Sequence, residues 1–548
     1  MARGLKHLTA MDAMFLYVET PEMPMHVSSL MCCTLPEGYQ GDYFEDVKAL
    51  LQARLHLASL FTSKLVQMPF DLTTPVWVED ENLDLDYHVR RMVLSKPGTR
   101  EQLHALVARL QSSLLDRSRP LWEIYVIEGL ENGEVAVFNK IHHAAMDGQG
   151  GVAVANMILD ITPEPRAVRP PRTRLYRSND QLGAAEMMSA GLGNTAGQVK
   201  KVATVFGQLL AMGSDKVINS ISWKALLKSS KAVGVEAAEQ STPPPRERQR
   251  FAPTTVFNGS ITNQRSVTSF SLDLAELKEL GKSVDATIND MVMAICSGAL
   301  RSYLSDANAL PAKSMIGAVP YSMRAQGNTD ISNQSSMGYM RLRTDIADPM
   351  RRLRAIQESS QAFKQDNAVF KGFALTDFPS VGLPWLLPMM VNFVTRARLA
   401  EKAPALANVA ISNVPGPNMP LYFAGARLRT FAPVSIVMHG VALNITVQSY
   451  NGGLHFGVVA CRRALPNMED FAEDMLAAYE DLKKAIARHH RKLTKEANEA
   501  NEAGNDALHN GVSSAPTGEK TKSPRAPIKR SKPVLVKVLP KPAAKKST

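Results

Sequence analysis

The tightest constraint on this fold is a hairpin within residues 124–143. Ile124-Tyr125-Val126-Ile127 reads as a strand, and residues 134–140 alternate and are rich in Val and Phe, so they read as a second. Between them, Glu131-Asn132-Gly133 supplies a turn whose Asn and Gly tolerate the positive φ angles that close a two-stranded ribbon. The second strand runs out in Ile141-His142-His143-Ala144-Ala145-Met146-Asp147-Gly148. Two histidines and an aspartate thus fall where a strand ends and a loop begins, a place where a rigid scaffold can present a side chain to a ligand.

The residue types suit proton transfer. An imidazole has an ordinary pKa of about 6.5, so it can be neutral and basic near neutral pH. Held on a strand end, it can take the proton of an alcohol or thiol without a protein nucleophile or a metal. Asp147 can fold back or pair with a cation to hold the loop, with Arg324 a candidate partner, and Gly148 lets the backbone turn. A His-His pair can equally be surface or packing. Metal binding by His142, His143 and Asp147 is a poor fit, because neighbours at a strand end point to opposite faces and no Cys/His cluster completes the ligand set.

The chain has 548 residues, too many for one core. The sequence divides into 1–161, a first domain carrying the histidines; 162–250, a connector bounded by Pro and Arg and partly helical; 251–490, a second domain; and 491–548, a disordered basic tail. From 513 to 548 there are ten Lys/Arg and one acid, which leaves 53 basic against 51 acidic residues elsewhere. The net charge of +11 is therefore a property of the tail, which can bind anionic lipid, and the body gains little support as a nucleic-acid binder. Four cysteines, Cys32, Cys33, Cys296 and Cys461, match no zinc spacing and are too few for a disulfide scaffold, which fits a reducing cytosol. No signal core opens the chain, and no run of about 18 apolar residues predicts a membrane span.

Local signals place further elements. Asp42 caps a helix carrying Phe44, Val47, Leu51 and Leu55; Leu103, Leu106, Val107 and Leu110 mark another; Asp273 and Thr287 open two more. Residues 316–319 read as a buried strand ending at Pro320, and Asn451-Gly452-Gly453 joins a second hairpin. The apolar run 381–391 is broken by two prolines and suits core packing, an apolar substrate channel or a membrane-facing patch. There is no Gly-x-Ser-x-Gly elbow and no Rossmann fingerprint, and Gly281-Lys282-Ser283 fails as a phosphate loop because Glu276 stands where glycine is required. A single-base site for direct transfer between two bound substrates remains.

Around that site the chain closely resembles the bacterial wax ester synthase/diacylglycerol acyltransferase family. The matching stretches are 8–15 with Glu19-Thr20-Pro21, 75–88, 115–123 with Pro120-Leu121-Trp122-Glu123, the His-His-x-x-x-Asp-Gly run, Asn289-Asp290, 319–324, Asn413-Val414-Pro415-Gly416-Pro417 and Leu443-Asn444-Ile445-Thr446. The resemblance implies a mixed-sheet α/β fold of two chloramphenicol-acetyltransferase-like domains with the active-site tunnel between them. It implies transfer of a fatty acyl group from acyl-CoA, a substrate and not a cofactor, to diacylglycerol or a long-chain alcohol. His143 is then the general base, with His142 supporting it, Asp147 ordering the loop and Gly148 turning the backbone. Pro120, Leu121, Trp122, Asn289 and Asp290 are implied to be structural, placing the base and the domain interface. The expected setting is cytoplasmic, in peripheral contact with a membrane or lipid inclusion. Two alternatives stay open. An intact His143 disfavours a non-catalytic lipid-droplet surface protein, and the Pro-Leu-Trp-Glu match disfavours a condensation-type enzyme fed by a carrier-protein thioester.

Overall fold

The computed structural model describes residues 6–67, 74–146, 154–155, 157–170, 251–322, 335–370 and 404–510. The apolar run 381–391 and most of the connector lie outside them, as do Asp147, Gly148 and Arg324. The chain divides into two units, 1–488 and 489–548.

In the first half, β1 (Lys6–His7), α1 (Ala10–Val18), β2 (His26–Thr34), α2 (Tyr43–Arg54), β3 (Ser63–Val66) and β4 (Val76–Glu79) come first. They are followed by α3 (Leu85–His88), β5 (Val89–Val93), α4 (Arg100–Ser112), β6 (Trp122–Glu128), β7 (Val135–His142) and β8 (Leu159–Asp160). The second half opens with β9 (Arg265–Asp273), α5 (Leu274–Lys282), α6 (Ile288–Asp306), β10 (Ile316–Ser322), β11 (Ser335–Arg341) and α7 (Pro349–Phe370). It closes with β12 (Val409–Val414), β13 (Tyr422–Phe423), β14 (Ala426–Val434), β15 (Leu443–Tyr450), β16 (Gly453–Cys461) and α8 (Met468–Asn510).

Two mixed sheets carry the fold, as expected. One runs β5-β6-β7-β2-β14-β13-β8, the other β11-β10-β12-β15-β16-β9, and a small third sheet is β1-β4-β3. The seven-stranded sheet is covered on both faces. On one, α2 lays Tyr43, Val47 and Leu51 against Met31, Ile124 and Val137. On the other, α4 lays Leu103, Leu106 and Val107 against Leu30, Tyr125 and Phe138, together with Val267 and Val459 from the second sheet. The six-stranded sheet buries one face under α5 to α8, with Leu277, Ile295, Ile356 and Phe471 in one core.

The caps read from sequence form. Asp42 accepts the Phe44 and Glu45 N–H groups, Asp273 accepts that of Glu276, and Thr287 makes a capping box with Asp290. In the hairpin of β15 and β16, Asn451 and Gly452 take φ of 43° and 82°, the pair of positive angles that a two-residue turn requires.

Three expectations change. The strand expected to stop at Pro320 continues to Ser322, because β12 pairs with β10 only at Gly317 and Ala318. Beyond Ala318, β10 is bonded to β11 alone, an edge position where a proline's missing N–H costs nothing. The spacing of Val152, Ala155, Met157, Ile158 and Leu159 suggests a helix after the histidines, but Leu159 belongs instead to β8. Residues 491–510, expected in the disordered tail, are helical. They include four Ala and three Glu, good helix formers, and i,i+4 pairs Lys492–Glu496 and Lys495–Glu499 support the helix.

The sheets meet closely where β14 crosses β16. A Cβ placed on Gly457 would sit 1.7 Å from the Pro433 carbonyl oxygen, so no side chain fits without moving backbone. Gly457→Ala is expected to cost about 1–3 kcal/mol of stability through overpacking. Urea unfolding reads this directly, and an unchanged midpoint would contradict it.

Candidate active site

The hairpin β6–β7 places the histidines. Trp122 pairs with Ile141 across the two strands, and the Leu121 carbonyl accepts the His142 N–H at 3.0 Å. The strand β7 is buried along its whole length, so both of its faces are packed. Its alternation sets His142 with Phe138 and Lys140 on the α4 side, where the Lys140 ammonium bonds the Leu110 carbonyl at 3.1 Å and Glu123 at 3.3 Å. His142 ends the strand, and His143 begins a single 3₁₀ turn, His143–Ala145.

His142 is fully buried. Its Nδ1 accepts the Ala144 N–H at 3.0 Å, which uses that lone pair and leaves the ring hydrogen on Nε2. Nε2 lies 3.2 Å from Oε1 of Glu19. Glu19 follows α1 directly. Its Oε1 also accepts the Met25 N–H at 2.9 Å, and its Oε2 accepts Arg117 Nε at 3.1 Å and Nη2 at 2.6 Å. Burial pushes this carboxyl up, but His142, Met25 and Arg117 together bring it down to about 2, so it is ionised at neutral pH.

His143 is half-buried and stacks on Phe15 at 3.8 Å between ring centroids. Its N–H donates to the Met25 carbonyl at 2.8 Å. Burial lowers its pKa to about 4, while its own main-chain carbonyl pulls the other way. The ring is thus neutral at pH 7. Nδ1 is sealed from solvent, which leaves Nε2 as the nitrogen that can meet a substrate. A neutral imidazole with its Nδ1 covered can use its other nitrogen to remove a proton from a hydroxyl placed against it.

The structure brings Pro120, Leu121 and Trp122 beside the histidines, all three buried. Trp122 donates Nε1–H to the Phe61 carbonyl at 3.0 Å and stacks on His88 at 4.3 Å. Asn289 and Asp290 lie at the start of α6, in the layer of the other sheet; Asp290 caps that helix through Thr287 N–H and Oγ at 3.0 and 2.7 Å. Glu19, Met25, Arg117 and Phe15 were not singled out in the sequence. Their only signal is that Phe15, Glu19 and Arg117 fall in stretches that resemble the family. Among the described residues no three His, Cys, Asp or Glu side chains are grouped to hold a metal ion, and no helix is long and apolar enough to cross a membrane. All four cysteines are buried and free.

Burial also sets a pH dependence of stability. His26, His88, His104, His143 and His455 all have pKa values lowered by burial, His104 and His143 to about 4. Their unfolded values stay near 6.5, so between about pH 6.5 and 4 the unfolded chain binds more protons than the folded one. Stability from these groups is complete above pH 6.5 and is lost as the pH falls through that window. The melting temperature should drop steadily over it at constant ionic strength; a flat profile would contradict the assignment.

Comparison with known proteins follows the same residues. Residues 8–292 match the family model of the wax ester synthase/diacylglycerol acyltransferase catalytic domain, and 331–483 match that of the corresponding C-terminal domain. A Mycobacterium tuberculosis protein that carries the name "Probable diacyglycerol O-acyltransferase" is 32% identical over 484 residues, covering 87% of this chain and 98% of its own. The O-acyltransferase WSD of Acinetobacter baylyi is 32% identical over 495 residues, covering 88% of this chain and all (100%) of its own. The solved wax ester synthase/diacylglycerol acyltransferase of Marinobacter aquaeolei is similar over 88% of this chain and 100% of that one, at 28% identity and a TM-score of 0.62.

Proposed function

This chain belongs to the wax ester synthase/diacylglycerol acyltransferase family, and from that premise we propose that it moves a fatty acyl group from acyl-CoA to the hydroxyl of diacylglycerol or a long-chain alcohol, with His143 as general base. The observation that carries the assignment of the base is the His143 ring just after β7, neutral at pH 7 and with its Nδ1 buried. In this reading Nε2 takes the proton of the acceptor hydroxyl as the oxygen attacks the thioester carbonyl. The C–O bond forms, the C–S bond breaks, and the imidazolium returns the proton to the departing CoA thiolate. The lowered pKa means that the base is not consumed by protonation at any pH above about 5. Asp147 and Gly148 order the loop that follows, and Pro120, Leu121 and Trp122 hold the strand before it. Asn289 and Asp290 have the corresponding structural role in the second layer. The acyl acceptors are poorly soluble in water, so the enzyme works in peripheral contact with a membrane or lipid inclusion on the cytoplasmic side, and the basic tail supplies attraction to anionic lipid.

The test supplies purified protein with labelled palmitoyl-CoA and either diacylglycerol or hexadecanol. Labelled triacylglycerol or wax ester is the expected product. Release of free fatty acid alone, with no ester from either acceptor, would overturn the reading.

A further inference from the structure

The turn that carries His143 has two N–H groups to anchor, and both anchors lead to one carboxylate. The His143 N–H donates to the Met25 carbonyl, and Met25 in turn donates its own N–H to Glu19 Oε1. The Ala144 N–H donates to His142 Nδ1, and the far nitrogen of that ring faces the same Glu19 oxygen at 3.2 Å. The other carboxylate oxygen is gripped by Arg117 through two nitrogens, and Arg117 also bonds the Leu16 carbonyl at 2.8 Å, which ties the assembly to α1. The Glu19 side chain is 2% exposed, so its charge is shielded from water and its geometry is fixed by these partners.

We propose that Glu19 is a positioning residue for the transfer reaction: through Met25 on one side and His142 on the other it fixes the backbone of the turn that aims His143 at the reacting hydroxyl. His142 then has a defined part. It stands between Glu19, 3.2 Å from its Nε2, and the Ala144 N–H that its Nδ1 accepts. Phe15, on the helix α1 that Glu19 directly follows, limits the remaining freedom of the His143 ring by stacking on it. A displacement of about 1 Å in a reacting group can cost on the order of a hundredfold in rate, so a small shift of this carboxylate has a catalytic effect without touching the base itself.

The inference rests on His143 being the base, and Glu19→Asp tests it. Aspartate keeps the charge for Arg117 but withdraws the acceptor by one methylene from Met25 and His142. The kcat is expected to fall about ten- to hundredfold while the KM for palmitoyl-CoA stays within about twofold. Circular dichroism should be unchanged, and inactivation by diethyl pyrocarbonate should proceed at the wild-type rate, since the His143 nitrogen stays open and is only misaimed. Glu19→Gln, where it folds, should show the same split. A Glu19→Asp enzyme with kcat within about twofold of wild type would overturn the inference, as would a rate loss accounted for by a smaller folded fraction. His143→Ala assayed alongside separates the two readings: an inactive His143→Ala beside a fully active Glu19→Asp sinks only the positioning role, whereas an active His143→Ala sinks the base.

Discussion

His143→Ala should lose ester formation almost completely while the protein still folds. General-base removal costs typically about 10²- to 10⁴-fold in rate. Among the described residues no second base stands ready at the strand end. His142 is fully buried with its Nδ1 lone pair spent on Ala144, and its Nε2 faces Glu19. The structural loss is small, because the ring is half-buried and its main packing partner is Phe15; an aromatic contact of this kind is worth about 0.5–1.5 kcal/mol. The main-chain bond from His143 to Met25 survives the substitution. Turnover of the purified variant is the measurement, and retention of more than about a tenth of wild-type rate would remove His143 from the role.

Trp122→Ala should be the most damaging single change to stability. The indole has no exposed surface, fills space between Phe61 and His88, and donates its N–H to the Phe61 carbonyl. Truncation removes the ring, leaves a cavity and leaves that carbonyl unpaired, for which about 3–5 kcal/mol is the usual cost. Because Trp122 pairs with Ile141, the residue next to His142, the damage falls on the strand that bears the base. Trp122→Phe keeps most of the packing and loses the N–H bond, so it should cost only about 1 kcal/mol. Denaturant midpoints of the two variants should therefore differ widely, and equal midpoints would show that the indole is not a keystone of this hairpin.

What could be read from the sequence was local. The turn at Asn132-Gly133, the caps at Asp42, Asp273 and Thr287, and the second hairpin at Asn451-Gly452 each declare themselves within four residues. The histidines were legible because their strand and loop are contiguous. Glu19 and Arg117 were not, since they meet across 98 positions and neither belongs to any periodic pattern. Strand β2 gave no signal because it is packed on both faces, so its residues do not alternate between polar and apolar. Strand β14 was hidden by Pro433, which argues against a strand until its neighbours are known. That proline pairs with Ser29 of β2, while β13 bonds β14 only at Ala426 and Arg427, so no neighbour needs the missing N–H.

The place of β14 also bears on how this protein is made. Its partner β2 leaves the ribosome early, yet Thr34 must wait for Arg427 before that edge is closed. At about 5–20 residues per second, roughly 15–60 s separate synthesis of the His-bearing strand from that of the strand that completes its sheet. Through that interval β2 offers a bare row of backbone donors and acceptors to any other nascent chain. The half with the histidines is therefore not a module that can be excised and expressed alone. Its folding is completed only late in synthesis, and a cell that holds the growing chain in a chaperone until residue 434 has emerged should yield more enzyme than one that does not.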